Sequence, residues 1–176
     1  RALERELRQS EALELFSLVA RSWESEFTAL TPLLHFGRSE VLTDRPQSDG
    51  ISNEVFDWVM ENLPKVQKDL LVTNAYLIPG AEGVAMLDDL VAAGAEVTIH
   101  TNSLASQDVP AVNSHYKPWR KPILASGASL FEARPDAAIK TSRVDTKPIS
   151  SRYMGLHSKS LVMDRRFAVI GSANLD

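Results

Sequence analysis

The chain has 176 residues, 44% of them hydrophobic, which is enough for one sizeable core and too few for two large ones. Its 19 Lys and Arg against 23 Asp and Glu give a net charge of -4. This is the wrong sign for a protein that holds nucleic acid mainly by neutralising phosphates, although a local basic patch is compatible with it. The absence of cysteine excludes disulfides and thiolate metal sites. No apolar run approaches the roughly 20 residues that a membrane-spanning helix requires.

The first 50 residues predict a helix and a linker. The helix runs from about Leu3 to Trp23, where apolar residues recur at three- and four-residue spacing: Ala12, Leu15, Phe16, Val19 and Trp23. The stretch from Thr31 to Gly50 has no period and is rich in glycine and proline, so we interpret it as a linker or long loop. The sequence leaves open whether residues 1–50 pack on the rest of the chain.

A second helix is predicted from Glu54, with Asn53 as its N-cap and Pro64 at its end. Its apolar stripe consists of Val55, Phe56, Val59, Met60 and Leu63. We expect residues 51–176 to form one α/β domain that begins with this helix.

Strands and helices then alternate. We predict a strand from Leu70 to Leu77, a helix from Glu82 to Ala93 and a strand from Glu96 to Thr101, which together make a βαβ unit. Gly94 stands where the helix should end, because glycine adopts the left-handed conformation of a C-terminal cap at little steric cost.

The next segment, Val109 to Ser126, has a helical pattern in which Pro118 and Pro122 each remove a backbone donor and bend the helix. A third strand is predicted from Leu130 to Ala133. The polar, aperiodic stretch from Asp136 to Ser151 is typical of a mobile loop.

The chemistry is concentrated after that loop. Side chains two apart on a strand share a face, so His157 and Lys159 should project together, while Ser158 and Ser160 point away. Asp164 has the opposite parity and stands at the strand end, which favours a structural role.

The chain should then reverse through residues 164–166 into a second strand, Phe167 to Ile170, so that the two strands form a hairpin. Gly171 lets the backbone leave the sheet tightly. The turn delivers Ser172 and Asn174, small polar groups suited to hydrogen-bonding a phosphate oxygen.

These residue types fit phosphoryl transfer. A neutral imidazole can attack phosphorus without a metal, which makes His157 the candidate nucleophile. The negative charge of the transition state would be stabilised by Lys159, Ser172 and Asn174. A phosphodiester also needs its leaving oxygen protonated, and the chain supplies no obvious second acid for that step.

Two other groups have open interpretations. Asn102 and Ser103 follow a predicted strand, where they are substrate-binding candidates or a turn cap. The run from Trp119 to Lys121 contacts anionic lipid headgroups or is an ordinary exposed helix face. The remaining histidines have no partners at metal-ligand spacing, so no metal and no cofactor are predicted.

Residues 157–174 match the HxKx4Dx6GSxN signature of the phospholipase D superfamily at all six specified positions. The resemblance implies an α-β-α sandwich with a mixed sheet, in which two such motifs meet at one metal-independent site. One histidine forms a phosphohistidine intermediate and the other is the general acid. The resemblance gives His157 and Lys159 direct roles and makes Asp164 the third, mechanistically secondary, member of the catalytic motif.

A narrower resemblance covers about Leu70 to Asp176. It is to the C-terminal half of bacterial cardiolipin synthases of the C type, and its segments are Thr101–Ser106 with Asp108, Tyr116, Trp119–Lys121 and Gly127–Glu132. It implies transfer of a phosphatidyl group from one phospholipid to the hydroxyl of another, at the cytoplasmic side of the bacterial inner membrane. The first motif and a downstream acidic residue of that family are absent. We therefore expect a piece of a two-motif protein, with the second half upstream or in a second subunit.

Three functions remain open on the sequence. The first is a phosphatidyltransferase or phospholipase with a phospholipid substrate and peripheral membrane contact. The second is a homodimeric single-motif nuclease, completed across a two-fold axis. The third is a catalytically incomplete module that binds lipids or anions. The acidic charge disfavours nucleic acid as the partner.

Overall fold

The computed structural model describes residues 23–47, 50–51, 53–140 and 154–175. The described residues divide into two compact units, those up to Leu42 and those from Thr43 onward. In the first unit, helix α1 (Trp23–Leu30) leads into a short 3-10 helix, Thr31–Leu33, and neither has a buried residue. Apart from Trp23, the helix predicted from Leu3 lies outside the described residues, as do residues 141–153 of the loop region.

The second unit begins with an irregular segment and a small hairpin, β1 (Pro46–Gln47) with β2 (Gly50–Ile51). Helix α2 (Glu54–Asn62) follows at the expected place, and a 3-10 turn containing Pro64 ends it. The N-cap prediction is wrong in one respect, since the Asn53 side chain makes no capping bond. The Asp44 carboxylate instead accepts the N–H of Val55 at 3.1 Å.

The centre of this unit is a five-stranded mixed sheet in the order β5-β4-β3-β6-β7. Strand β3 (Asp69–Asn74) is followed by helix α3 (Gly80–Ala92) and strand β4 (Glu96–Asn102), which pairs parallel to β3. The predicted βαβ unit is thus confirmed. Gly94 has φ of 94° just after α3, which confirms the glycine cap.

The other strands enlarge the sheet on both sides. Helix α4 (Pro110–Tyr116), a 3-10 turn at Lys117–Trp119 and helix α5 (Arg120–Ala125) form the predicted interrupted helix. Strand β5 (Ser129–Ala133) then pairs parallel to β4. Strands β6 (Lys159–Met163) and β7 (Phe167–Ile170) form the expected hairpin, and β6 lies antiparallel beside β3.

The hydrophobic core lies on one face of the sheet, because alternate residues of each strand point to the same side. That face carries Leu70, Val72, Val97, Ile99, Leu161 and Met163, all nearly inaccessible to solvent. Helix α3 covers it with Leu87 and Leu90, and α5 contributes Ile123. The expected α/β fold with a mixed sheet is confirmed.

The contacts of the helix α5 region bear on the two interpretations of the run from Trp119 to Lys121. Trp119 packs against the core, and Arg120 pairs with Glu132 through its Nη2 at 2.6 Å. Tyr116 donates to the same carboxylate at 2.8 Å. Burial, followed by this hydrogen bond to Glu132, raises the pKa of the Tyr116 phenol, so that it stays protonated. The Trp119 and Arg120 side chains are therefore used inside the fold, and a headgroup contact through them is disfavoured.

Replacing Ile123, which is 0% exposed, tests the placement of the core. Ile123→Ala should lower the free energy of unfolding by about 2–5 kcal/mol, since it leaves a cavity where α5 meets the sheet. Urea denaturation followed by circular dichroism measures the loss. The matched control is Leu124→Ala at the next residue, which is 55% exposed and should change the value by only about 0.5 kcal/mol. Equal losses for the two variants would contradict this core.

Candidate active site

One edge of the sheet collects the predicted site residues. The parallel strands β3, β4 and β5 end at this edge, at Asn74, Asn102 and Ala133. Strand β6 runs the opposite way and begins here with Lys159, which pairs with Asn74. The chain leaving β7 returns to the same place, because the N–H of Gly171 donates to the carbonyl of Lys159 at 3.1 Å.

The structure brings His157 and Lys159 together, as their spacing predicts. The Lys159 Nζ lies 3.5 Å from Nδ1 and 3.4 Å from Nε2 of the imidazole, and it donates to the His157 carbonyl at 2.9 Å. Near-equal distances to both ring nitrogens describe an ammonium beside the ring rather than a directed hydrogen bond. His157 is exposed, so its ring is open to a substrate. Its role as nucleophile stays a prediction.

Tyr76 and Asp108 belong to the same edge but were not among the predicted site residues. The Tyr76 ring centroid is 5.8 Å from the Lys159 Nζ, a cation–π distance. The Tyr76 hydroxyl donates to the Asp108 carboxylate at 3.0 Å. Asp108 stood in the cardiolipin-synthase-like stretch of the sequence, which was a usable signal. Nothing local marks Tyr76, because its neighbours come from distant parts of the chain.

The structure favours the turn interpretation of Asn102, and substrate contact by this residue stays a prediction. The side chain is 3% exposed, and its amide is hydrogen-bonded to Ala75, Ser106 and Leu156. Ser103 favours the turn interpretation, since its Oγ accepts the N–H of Ser106 at 3.2 Å and its own N–H donates to the Ser106 Oγ at 2.9 Å. Both residues are bonded within the protein.

Asp164 is not part of this edge, and its contacts fit the structural role that its parity and its place at the strand end predict. It follows the far end of β6, about 16 Å from Lys159 at the roughly 3.3 Å rise per strand residue. Its carboxylate accepts the N–H groups of Lys68, Gln67 and Asp69, the first at 2.7 Å. These bonds, that of Lys68 above all, hold the pKa of the Asp164 carboxyl below its ordinary value. Asp164 therefore ties β6 to the start of β3.

Ser172 and Asn174 follow β7 beside the segment that leaves β3. Leu175 forms a bridge with Leu77, and its carbonyl accepts the N–H of Ile78 at 2.6 Å. Ser172 is exposed, while the Oδ1 of Asn174 is buried and has no hydrogen-bond partner within the described residues. An unsatisfied buried acceptor costs about 1–3 kcal/mol. Binding of phosphate or substrate by these two residues stays a prediction.

The described residues contain neither a metal-binding cluster nor a membrane-spanning helix. Among residues 23–47, 50–51, 53–140 and 154–175, no group of three or more His, Cys, Asp or Glu side chains is arranged to hold a metal ion. His100 is instead edge-on to the Phe131 ring, with centroids 5.4 Å apart. Within the same part of the chain, every helix is too short or too polar to cross a bilayer.

The chain is similar in sequence to several known bacterial proteins. The chain is 34% identical to cardiolipin synthase C of Escherichia coli (strain K12) over 105 residues, which are 60% of this chain and 22% of that protein. It is 29% identical to uncharacterized proteins of two Helicobacter pylori strains over 150 residues, 81% of this chain and 28% of theirs. The chain thus spans between about a fifth and about a quarter of the length of these relatives. No family model matches it.

Among solved structures, the chain resembles NucT from Helicobacter pylori with a TM-score of 0.47 and 12% sequence identity. The superposition covers 69% of this chain and 67% of that one.

Asp164→Asn tests the structural role of this carboxylate. A carboxyl whose pKa is lowered on folding stabilises the protein above its unfolded pKa, about 3.9 for aspartate, and the stabilisation is lost as the pH falls through the lower folded pKa. We therefore expect the variant to have a lower Tm than the wild type at pH 7, with a difference that shrinks below about pH 4. Thermal unfolding of the two proteins at pH 7 and below about pH 4 measures this difference in Tm.

The control is Asp88→Asn, at an exposed position on α3. It should leave the Tm nearly unchanged at pH 7. A pH-independent difference for Asp164→Asn would mean that the charge of the carboxylate does not anchor β6.

Proposed function

We propose, because this chain is related to the phospholipase D superfamily, that it supplies one half of a phosphodiester-cleaving site centred on His157 and Lys159. The observation that carries the proposal is the exposed imidazole with an ammonium 3.4 Å from its Nε2, at the edge where the five strands of the sheet begin or end. A nucleophile and a fixed cation side by side meet the two first requirements of metal-independent phosphoryl transfer.

In the first step, a ring nitrogen of His157 forms a bond to phosphorus as the bond from phosphorus to the leaving alcohol oxygen breaks. The leaving oxygen takes the electron pair and needs a proton, which the second half of the site supplies. Negative charge grows on the equatorial oxygens in the transition state. The Lys159 ammonium has three donors and uses one on the His157 carbonyl, so two are available to those oxygens.

In the second step, an acceptor hydroxyl attacks the phosphohistidine and the imidazole leaves. Ser172 is exposed on the segment that approaches this edge, and the half-buried Asn174 follows two residues later. We therefore assign substrate contacts to Ser172 and Asn174 rather than to Asn102.

We propose a phospholipid as the substrate and a lipid hydroxyl as the acceptor, so that the complete protein is a phosphatidyltransferase of the cardiolipin synthase kind. The similarity to cardiolipin synthase C and the net charge of -4 support this choice over nucleic acid. Such a substrate requires contact with a membrane surface. The second half of the site comes from a second motif, either in the same polypeptide or in a partner subunit.

The nucleophile can be tested without the missing half by a phosphodiester that needs no acid. Phosphatidyl-4-nitrophenol fits, since 4-nitrophenolate leaves as a stable anion. The wild-type chain should release a burst of nitrophenolate close to one per chain and carry a phosphatidyl group on the peptide that contains His157. Stopped-flow absorbance and mass spectrometry under alkaline quench measure the two.

In the same experiment, His157→Ala should abolish both the burst and the adduct. His115→Ala is the matched control, an exposed histidine on α4 that should leave both unchanged. A burst that survives in His157→Ala, or an adduct on another residue, sinks the assignment of the nucleophile. A wild-type chain with neither favours the binding-module alternative.

The substrate class can be decided by two esters with the same leaving group. Phosphatidyl-4-nitrophenol in vesicles should react at least about tenfold faster than the 4-nitrophenyl ester of thymidine 5′-monophosphate, since binding energy from the lipid chains is available only to the first. Nitrophenolate release under equal concentrations gives the comparison. A nucleotide ester that reacts faster would replace the lipid proposal with the nuclease alternative.

A further inference from the structure

Asn102 makes a set of contacts that its position in the sequence does not explain. The side chain is 3% exposed at the end of β4. Its Nδ2 donates to the carbonyls of Ala75 at 3.2 Å and Leu156 at 2.9 Å. Its Oδ1 accepts the N–H of Leu156 at 2.7 Å and the Ser106 hydroxyl at 3.2 Å. Two donors and two acceptor positions are the full capacity of an amide, and all four are used.

The partner of this amide is the residue directly before His157. Asn102 satisfies both the N–H and the C=O of Leu156, as a neighbouring strand would, across 54 residues of sequence. Strand β6 begins only at Lys159, so the ladder with β3 does not extend to Leu156. The amide side chain thus takes the place of a strand partner at the approach to the motif.

We propose that Asn102 is a positioning residue, which holds the backbone at Leu156 and thereby sets where the His157 ring stands relative to Lys159. The catalytic meaning of this inference rests on the proposed function. Lys159 is fixed independently by its pairing with Asn74 on β3. His157 lies outside the ladder, so its distance from the ammonium depends on how Leu156 is held.

Among aspartate, glutamine, alanine and asparagine, only asparagine can form all four of these hydrogen bonds from this position. Aspartate offers no donor and would leave the carbonyls of Ala75 and Leu156 unpaired. Glutamine is longer by one methylene, which displaces the amide from these four partners, and alanine loses all four bonds. Ser106, which is 1% exposed, donates to Oδ1 and so fixes the orientation of the amide.

Hydrogen exchange of the Leu156 amide is the direct test, because it does not depend on activity. In Asn102→Ala this N–H should exchange about tenfold faster or more than in the wild type, as expected from loss of its hydrogen bond. The amides of Val97 and Ile99 in β4 should keep their protection, which shows that the fold is intact. NMR or fragment-resolved mass spectrometry follows both.

The matched control is Ser126→Ala. Its hydroxyl is also buried and donates to the Ile123 carbonyl at 2.7 Å, but it does not contact residues 154–158. The Leu156 amide should exchange in this variant as in the wild type. Asn102→Leu is the second variant if alanine prevents folding, since it keeps the size of the side chain and removes both the donors and the acceptor. Unchanged exchange at Leu156 and His157 in a folded Asn102 variant overturns the inference.

The kinetic arm uses the phosphatidyl-4-nitrophenol burst. In Asn102→Ala the rate constant of the burst should fall about 100-fold, since a displacement of about 1 Å at a reacting group has that effect. The lipid concentration for half-saturation should stay unchanged, because Asn102 does not contact substrate. Ser126→Ala should match the wild type in both quantities.

Hydrogen exchange and burst kinetics together distinguish a failure of the proposed function from a failure of the positioning role of Asn102. A wild-type chain without a burst, together with faster Leu156 exchange in Asn102→Ala, contradicts the proposed function. It still supports the inference that Asn102 holds the backbone at Leu156. A normal burst rate in a variant whose Leu156 amide has lost protection defeats the positioning role of Asn102 and leaves the proposed function standing.

Discussion

The antiparallel pairing of β6 with β3 is the interaction on which the arrangement of this domain depends. Five residue pairs join the two strands, from Leu70 with Met163 to Asn74 with Lys159. Because side chains alternate, a slip of one residue would turn Leu161 and Met163 out of the core and move Lys159 to the other face. The Asp164 carboxylate, bonded to three successive N–H groups at the start of β3, pins this register at one end.

The other end of the same pairing forms the candidate active site, and it is held by polar rather than apolar contacts. Asn74 and Asn102 are both buried at strand ends, where they bond backbone groups that the ladder leaves unpaired. Polar groups in such a place cost free energy unless their bonds are made, so a satisfied network specifies one arrangement. Among the residues that bear the proposed chemistry, His157 and Ser172 are exposed at this edge and Lys159 is half-buried. Rigid support beneath an open nucleophile is the form expected of a preorganised site.

The proposed half-site lacks a general acid for the leaving group, and the chemistry of the reaction explains why. A nucleophile and a cation activate phosphorus, whereas a leaving alkoxide needs an acid on the opposite side of the phosphorus centre. The chain matches a small part of cardiolipin synthase C, and a second motif from elsewhere in the protein or from a partner would bring that acid. Division of the acid and the nucleophile between two halves keeps them on opposite sides of the scissile bond.

Local patterns in the sequence determined the elements and the adjacency of His157 and Lys159. Hydrophobic alternation specified the strands, the three- and four-residue spacing specified α2 and α3, and Gly94 marked a helix end, since each of these signals depends on residues close in the chain. Tertiary structure alone decided what Asn102, Asp164 and Tyr76 do. Leu156 lies 54 residues from Asn102, and the backbone partners of Asp164 lie 95–97 residues from it. No periodicity reports contacts over such separations. The same limit hid the Arg120 pairing with Glu132, because it depends on how α5 packs against the end of β5.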